Sequence, residues 1–209
     1  MRRKIIRENM GLAKPGQDIT VAGFAGLAGA LILAQGYREE LEEYFSPSYV
    51  EEICGLQIYN PKIEQISRNL EQWKQFGVTE WEAAGRGGIL TALWNLAGIH
   101  DVGIEFTLRQ IPVKQSTVEI CEYFNLNPYR LFSEGCFLLV SDNGSQLAER
   151  LGEEGIPAVR IGRIQAGKQM EIIMEEGRGC LERPQPDELE KVIPGYFPGQ
   201  KDMPELHIK

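Results

Sequence analysis

The sequence predicts an α/β protein built as an α+β layered sandwich. Three observations lead there. Short β-prone runs alternate along the chain with segments whose apolar residues recur at helical spacing. Glycine and proline clusters punctuate the boundaries between them. The chain has 209 residues, 43% hydrophobic and 25% charged, enough to bury a core without disulfides or metal staples.

Residues 1–13 read as a short basic arm or helix, with Ile5, Ile6 and Met10 able to share a face. Lys14-Pro15-Gly16-Gln17 is a turn, and Asp18–Ala22 a strand. A glycine-rich junction over Gly23–Gly29 leads into a helix over Ala25–Gln35. Arg38–Phe45 is a charged amphipathic helix, and Ser46-Pro47 caps the next, because proline suits a first helical turn. Ile63, Ile66, Leu70 and Trp73 predict one helix over Pro61–Gln75, ended by Gly77. Val78–Ala84 is a short strand, followed by Gly85-Arg86-Gly87-Gly88 and a helix with Ile89, Leu93 and Leu96 on one side, closed by Gly98.

Alternation of Ile104, Phe106 and Leu108 makes Gly103–Leu108 a strand. Ser116-Thr117-Val118-Glu119 reads as a capping box that opens a helix to Phe124. Phe137–Val140 is an apolar strand, and Gln146–Leu151 a helix with Gly155 after it. Ala158–Ile164 and Met170–Met174 are expected to form a hairpin across Ala166-Gly167. Three parts result: the arm 1–13, a domain 14–176 and a proline-rich extension 177–209.

Net charge is -8, which disfavours broad nucleic-acid binding, since that needs clustered cations to release phosphate counterions. It leaves room for a local basic pocket that holds a small anion. The run Ile19–Tyr37 carries no charge, yet its glycines and its β-prone start favour a buried strand and helix over a membrane span. The basic start Met1-Arg2-Arg3-Lys4 is interrupted by Arg7, Glu8 and Asn9, against a secretory signal. A cytoplasmic protein is expected. Cys54, Cys121, Cys136 and Cys180 form no CxxC pair, and His100 and His207 are the only histidines. Buried or half-buried reduced thiols follow, with no metal site.

Gly85, Arg86, Gly87 and Gly88 form the first candidate site. Glycines let backbone approach a ligand closely, free amides and the helix dipole at a helix start favour an anion, and Arg86 can add a planar phosphate contact. The alternative is a tight strand-to-helix turn with Arg86 paired to a carboxylate. The second candidate is Gly23-Phe24-Ala25-Gly26-Leu27-Ala28-Gly29. It matches neither a dinucleotide fingerprint nor a phosphate loop, so close packing of helix on strand explains it, although Gly26 can still face a ligand in a shared groove. Glu134, before the strand at Cys136, can orient a ligand amine or hydroxyl, or be solvated or paired with an arginine. His100-Asp101 reads as neither a metal nor an acid–base pair.

At these glycines the chain resembles the aminoimidazole-ribonucleotide synthetase superfamily. Residues 78–88, Val-Thr-Glu-Trp-Glu-Ala-Ala-Gly-Arg-Gly-Gly, resemble its "ITAMHDATRGG" segment. Val102-Gly103-Ile104-Glu105, Ile111-Pro112-Val113, Ser133-Glu134-Gly135 and Ile161-Gly162-Arg163-Ile164 follow in the order of its "GVGIEI", "IPV", "NEG" and "IGRV". Lys14-Pro15-Gly16-Gln17-Asp18 resembles "KPGD", the opening of the C-terminal half. The superfamily includes the synthetase itself, formylglycinamide-ribonucleotide amidotransferase, selenophosphate synthetase, thiamine-monophosphate kinase and the hydrogenase-maturation carbamoyl dehydratase; the spacing is most similar to the last. The resemblance implies a C-terminal-domain fold whose glycine loop lies beside ATP phosphates, while an N-terminal half supplies magnesium-binding aspartates and the main dimer interface.

Three departures shape the functional expectation. The N-terminal ATP-binding half is expected to be absent, because few residues precede Lys14. The acid and hydroxyl of the loop motif fall on Ala83 and Gly85. The carbamoyl-carrying C-terminal cysteine of the maturation branch is replaced by the ending Glu205-Leu206-His207-Ile208-Lys209. A stand-alone, non-catalytic domain is expected, binding a nucleotide, phosphate or ribose phosphate through Gly85, Arg86, Gly87, Gly88, Glu134 and Gly26. ATP or another phosphate-containing ligand is the cofactor class this leaves open. The alternatives are a subunit of a hydrogenase-maturation-type enzyme working with a separate ATP-binding-domain protein, and a structural homodimer.

Overall fold

The computed structural model describes residues 13–58, 60–67 and 70–197; the expected arm over 1–12 and the end of the chain lie outside them. Seven strands form one mixed sheet among the described residues: β1 (Asp18–Ala22), β2 (Val78–Ala83), β3 (Gly103–Thr107), β4 (Phe137–Ser141), β5 (Ala158–Gln165), β6 (Met170–Met174) and β7 (Gly177–Cys180), in the order β2-β4-β1-β5-β3-β6-β7. The helices are α1 (Leu27–Gly36), α2 (Arg38–Tyr44), α3 (Pro47–Cys54), α4 (Pro61–Ser67), α5 (Leu70–Gln75), α6 (Gly88–His100), α7 (Gln115–Phe124), α8 (Gly144–Glu153) and α9 (Leu189–Val192). The predicted α/β layered class is the observed one.

β1 and β4 are interior strands. Both are buried along their whole length and pair antiparallel, with Thr20 opposite Leu139. A continuous apolar run suits such a strand, because side chains alternate between two covered faces. Leu138 and Val140 face a cluster with Ile89, Leu93 and Leu96 of α6. Phe137 and Leu139 face the opposite way, toward Ile63, Trp73, Leu147 and Leu151 of α4, α5 and α8. A third cluster lies beyond the sheet, where α1, α3 and α7 pack with Leu131 and Leu189. Each fully buried aliphatic side chain contributes on the order of 1.5–3 kcal/mol.

One polar run crosses the sheet from β1 through β5 and β3 to β6. Asp18 lies opposite Arg163, Arg163 opposite Glu105, and Glu105 opposite Glu171. Arg178 of β7 bridges the two glutamates, at 2.9 Å from each. Asp18 also binds Arg160 at 2.9 Å and accepts the Gly144 N–H at 3.0 Å, at the start of α8. Burial pushes the Asp18 carboxyl up, but that amide and the two guanidiniums outweigh it and hold it below the usual range.

Several boundaries and one connection differ from expectation. α6 runs through Gly98 to His100 and stops at Asp101, in left-handed conformation. α7 begins at Gln115 with Lys114 as its cap residue, so Ser116 caps nothing; Glu119 instead bonds Gln115 and the Tyr49 hydroxyl. The helix expected over 61–75 is described as α4 and α5, with residues 68–69 outside the description. The expected hairpin of β5 and β6 does not form. β3 lies between them, antiparallel to β5 and parallel to β6. The loop after β5 wraps the start of β3, where Gln169 C=O accepts the Ile104 N–H at 2.9 Å. A Cβ at Gly103 would sit 2.8 Å from that oxygen, so glycine is what lets the loop cross. The expected extension from 177 starts as the edge strand β7. Among the described residues, no helix is long and apolar enough to cross a membrane.

Candidate functional site

The chain turns from β2 into α6 through Gly85-Arg86-Gly87-Gly88. Gly87 is the cap residue, with φ 79°, and has no side chain to cap the helix. Gly88, with φ 69°, leaves no room for a Cβ, which would meet the Tyr129 oxygen at 2.4 Å. Both glycines are therefore required by backbone conformation and close packing. Gly85 is different. It has no positive φ, and an added Cβ would meet nothing within 4 Å.

The helix start takes an anion, and the anion is the chain's own. Asp187, 1% exposed, accepts the Gly87 N–H at 2.6 Å. Its other oxygen accepts Leu189 N–H at 2.9 Å and Phe132 N–H at 3.1 Å. A carboxylate from the C-terminal segment thus takes the N–H of the cap residue, the group that the Glu or Gln of a capping box takes in other helices, while the first-turn Leu90 N–H goes to Tyr129 C=O at 3.3 Å. Burial pushes its carboxyl above the usual range; the three amides pull it back without cancelling that, and nearby Glu190 adds to the rise.

Arg86 follows the same pattern. Its Nη2 lies 3.1 and 3.2 Å from the two carboxylate oxygens of Glu190, and its guanidinium stands 5.0 Å from the Phe197 ring centroid. Arg86 is 42% exposed at its side chain. It lines an open groove of about 550 Å³ with Gly87, Thr91, Pro184, Gln185 and Pro186. Thr91 Oγ1 is buried there without a hydrogen-bond partner.

Gly26 and the Gly85–Gly88 turn meet around Ser133, the first residue of the Ser133-Glu134-Gly135 motif. This fully buried serine accepts Gly26 N–H at 2.8 Å through its hydroxyl, which donates to Leu131 C=O at 2.7 Å. Its own N–H bonds Gly85 C=O at 3.2 Å. The starts of α1 and α6 are therefore tied to one loop, 131–135. Gly26 caps α1 with φ 71°, and its Cβ position is 2.7 Å from the Pro128 oxygen, so close packing accounts for this glycine. Glu134 is exposed on the same loop. The Ser133-Glu134-Gly135 motif marked this loop, with Glu134 as its candidate and not Ser133, and no short-range signal marks Asp187.

The remaining chemistry-bearing groups are quiet. Burial pushes the Cys121 and Cys136 thiols up to about 12, which removes thiolate reactivity at neutral pH. Cys54 is half-buried and Cys180 exposed, so the expectation of four sheltered thiols fails at Cys180, on the edge strand β7. His100 ends α6, its Nε2 3.6 Å from Glu80. Among the described residues, no group of three or more His, Cys, Asp or Glu is arranged to hold a metal ion.

A layered domain with two glycine-headed helices gathered on one loop defines the class, and comparison defines the family. Residues 55–175 match the family described as AIR synthase related protein, C-terminal domain. That is more than half of the chain, and the protein belongs to this family. No curated protein matches the sequence. Among solved structures, the hydrogenase maturation protein HypE of E. coli aligns at 22% identity with TM-score 0.65, over 85% of this chain and 53% of that one. A HypE–HypF complex aligns at 23% identity and TM-score 0.65, over 83% and 55%. PurL of T. maritima complexed with FGAR aligns at 16% identity and TM-score 0.51, over 86% and 28%. At these identities the likeness is one of fold. The chain spans about half the length of the HypE structures it resembles.

Proposed function

We propose that this protein is a binding domain that seats a phosphate-bearing small molecule, a nucleotide or ribose phosphate, at the Arg86–Gly88 entrance of α6, without carrying out ATP chemistry by itself. The observation that carries the reading is the 2.6 Å bond from Gly87 N–H to a carboxylate: this helix start accepts a negatively charged oxygen at close range. Arg86 beside it supplies a planar cation, and the open groove supplies space. Ala83 and Gly85 stand where the resembling motif has an acid and a hydroxyl, so the turn offers no side-chain oxygen to a magnesium ion. Glu134, exposed on the loop that ties the two helix starts, is the flanking group that can orient a ligand amine or hydroxyl, whereas Gly26, its N–H taken by Ser133, packs the start of α1. Titration calorimetry with inorganic phosphate, ADP and ribose 5-phosphate tests the reading. Saturable binding that Arg86→Ala weakens about tenfold or more, the loss of a charge-assisted pair, supports it; no heat with any of the three ends it.

A second reading has its own observation. The chain covers about half of each HypE structure, and one of those is in complex with a second protein, HypF. A separate ATP-binding-domain protein would then complete an enzyme of the hydrogenase-maturation type. A mixed groove of about 520 Å³, with Leu31, Ile32, Leu56 and Ile58 beside Gln35, Gln57 and Glu64, offers a contact surface. Light scattering of the chain alone and with such a protein from the same genome separates this reading, as a mixed complex, from a homodimer. Magnesium-dependent ATP turnover by the mixture, absent in either component, would favour the enzyme subunit.

A further inference from the structure

The segment that fills the helix start lies outside the family-matched residues 55–175. It reaches the site after five consecutive exposed residues, Glu182–Pro186. Two of its carboxylates then take the two groups that would greet a ligand: Asp187 takes the Gly87 amide and Glu190 takes the Arg86 guanidinium. Asp187 is buried on three amide donors, Gly87, Leu189 and Phe132, with no ion pair to a cation among the described residues, and Glu190 nearby repels it. A buried carboxylate held without a cation is a poorer occupant than a phosphate, which brings more negative charge and more acceptor oxygens to the same donors. Leu189, fully buried against the cluster of α1 and α7, keeps the segment attached while its polar contacts break.

We propose that residues 186–197 form an internal plug in which Asp187 and Glu190 imitate an anionic ligand, and that a phosphate-bearing ligand enters by displacing them. This rests on the binding function proposed above and adds its control. The closed plug lowers apparent affinity by the fraction of molecules that are open, so weakening the plug strengthens binding without adding a contact. Any event that draws the segment away, such as a partner holding residues 182–197, would load the site. The plug also makes a clear demand on the ligand: it must offer oxygens to both Gly87 N–H and Arg86, as the adjacent phosphates of a nucleoside diphosphate do.

The test uses the full chain and three proteins: wild type, Asp187→Ala and Glu190→Gln. Each is checked for folding by circular dichroism and titrated with ADP and with inorganic phosphate. ADP is expected to bind Asp187→Ala about tenfold tighter than wild type, the factor removed when a state closed about ten to one is opened. Glu190→Gln, which frees Arg86 and leaves Asp187 in place, should bind several-fold tighter, and it decides the matter should Asp187→Ala fail to fold. Hydrogen exchange over residues 184–197 should accelerate when ADP is added to wild type. Equal or weaker binding in the folded variants, with exchange unchanged, overturns the plug while leaving the binding site standing. No binding to any of the three proteins removes the site itself, and the plug with it.

Discussion

Replacing Asp187 by Asn changes one atom's character in a buried network. One oxygen of Asp187 accepts from Leu189 and Phe132, and the other from Gly87. An asparagine oxygen can keep the first pair, but its Nδ2 then faces the Gly87 N–H, donor against donor. A buried donor left without an acceptor costs about 1–3 kcal/mol. Removing the charge relieves part of the burial penalty that pushes this carboxyl up, so the net loss should be about 1–2 kcal/mol. Asp187→Ala orphans all three amides and should cost about 2–4 kcal/mol, with water admitted through the open groove limiting the damage. Urea unfolding read by tryptophan fluorescence measures both. The pH dependence has a fixed sign. A carboxyl whose folded pKa is raised stabilises fully below its unfolded pKa, and that contribution fades as pH rises through the folded value. The gap between wild type and Asp187→Asn should therefore be larger near about pH 4 than near about pH 7. Equal stabilities at both pH values, or a gap that widens as pH rises, would refute the role assigned to this carboxylate.

Other outcomes follow from the same geometry. Asp18, held by Gly144, Arg160 and Arg163, has a lowered pKa, so its stabilisation is present above its unfolded pKa and is lost as pH falls through the folded one. Asp18→Asn should cost about 1–2 kcal/mol near neutrality, discounted because both arginines are partly exposed, and should flatten the acid limb of a thermal-melt series. Gly85→Ala should be neutral or stabilise by up to about 1 kcal/mol, because nothing restricts that position. Gly88→Ala combines positive φ with a Cβ 2.4 Å from the Tyr129 oxygen and should lose about 2–3 kcal/mol in the same urea assay. Gly162→Ala, whose Cβ position lies 2.1 Å from the Glu105 oxygen, should disrupt the pairing of β3 and β5 and appear largely insoluble on expression.

Much of the layering was legible because it is local. The apolar run of β4, the alternation of β3 and the helical spacing in α6 each follow from a period that a single window reveals. The strand order was not legible. Nothing within Ala158–Met174 says that β3, which ends far upstream at Thr107, will be threaded between two strands that look like a hairpin. The decisive hint was Gly103, whose missing Cβ admits the crossing loop, and a lone glycine at a strand start has many other uses. Local caps misled for a related reason. Ser116 has the right neighbours for a capping box, yet Glu119 finds Tyr49 and Gln115 more favourably placed.

At the candidate site the glycine turn was readable and its occupant was not. Gly87 and Gly88 announced a helix start in need of an acceptor, and Arg86 announced a cation in need of an anion. Both needs are met from the C-terminal segment, with Asp187 standing 100 residues from Gly87. An acidic residue in a proline-rich stretch looks solvated in sequence, since only the folded chain brings it under the helix.

The central claim is that the Gly87 amide sits in an anion seat that an external phosphate can occupy. Amide-resolved NMR of the isotope-labelled chain during titration with ADP tests it most directly. The account predicts saturable shifts at Gly87 and Gly88, matched by shifts at Asp187 and Leu189 as the carboxylate leaves, and a loss of all four in Arg86→Ala. Resonances of Gly87 and Gly88 that stay fixed in both wild type and Asp187→Ala would contradict it.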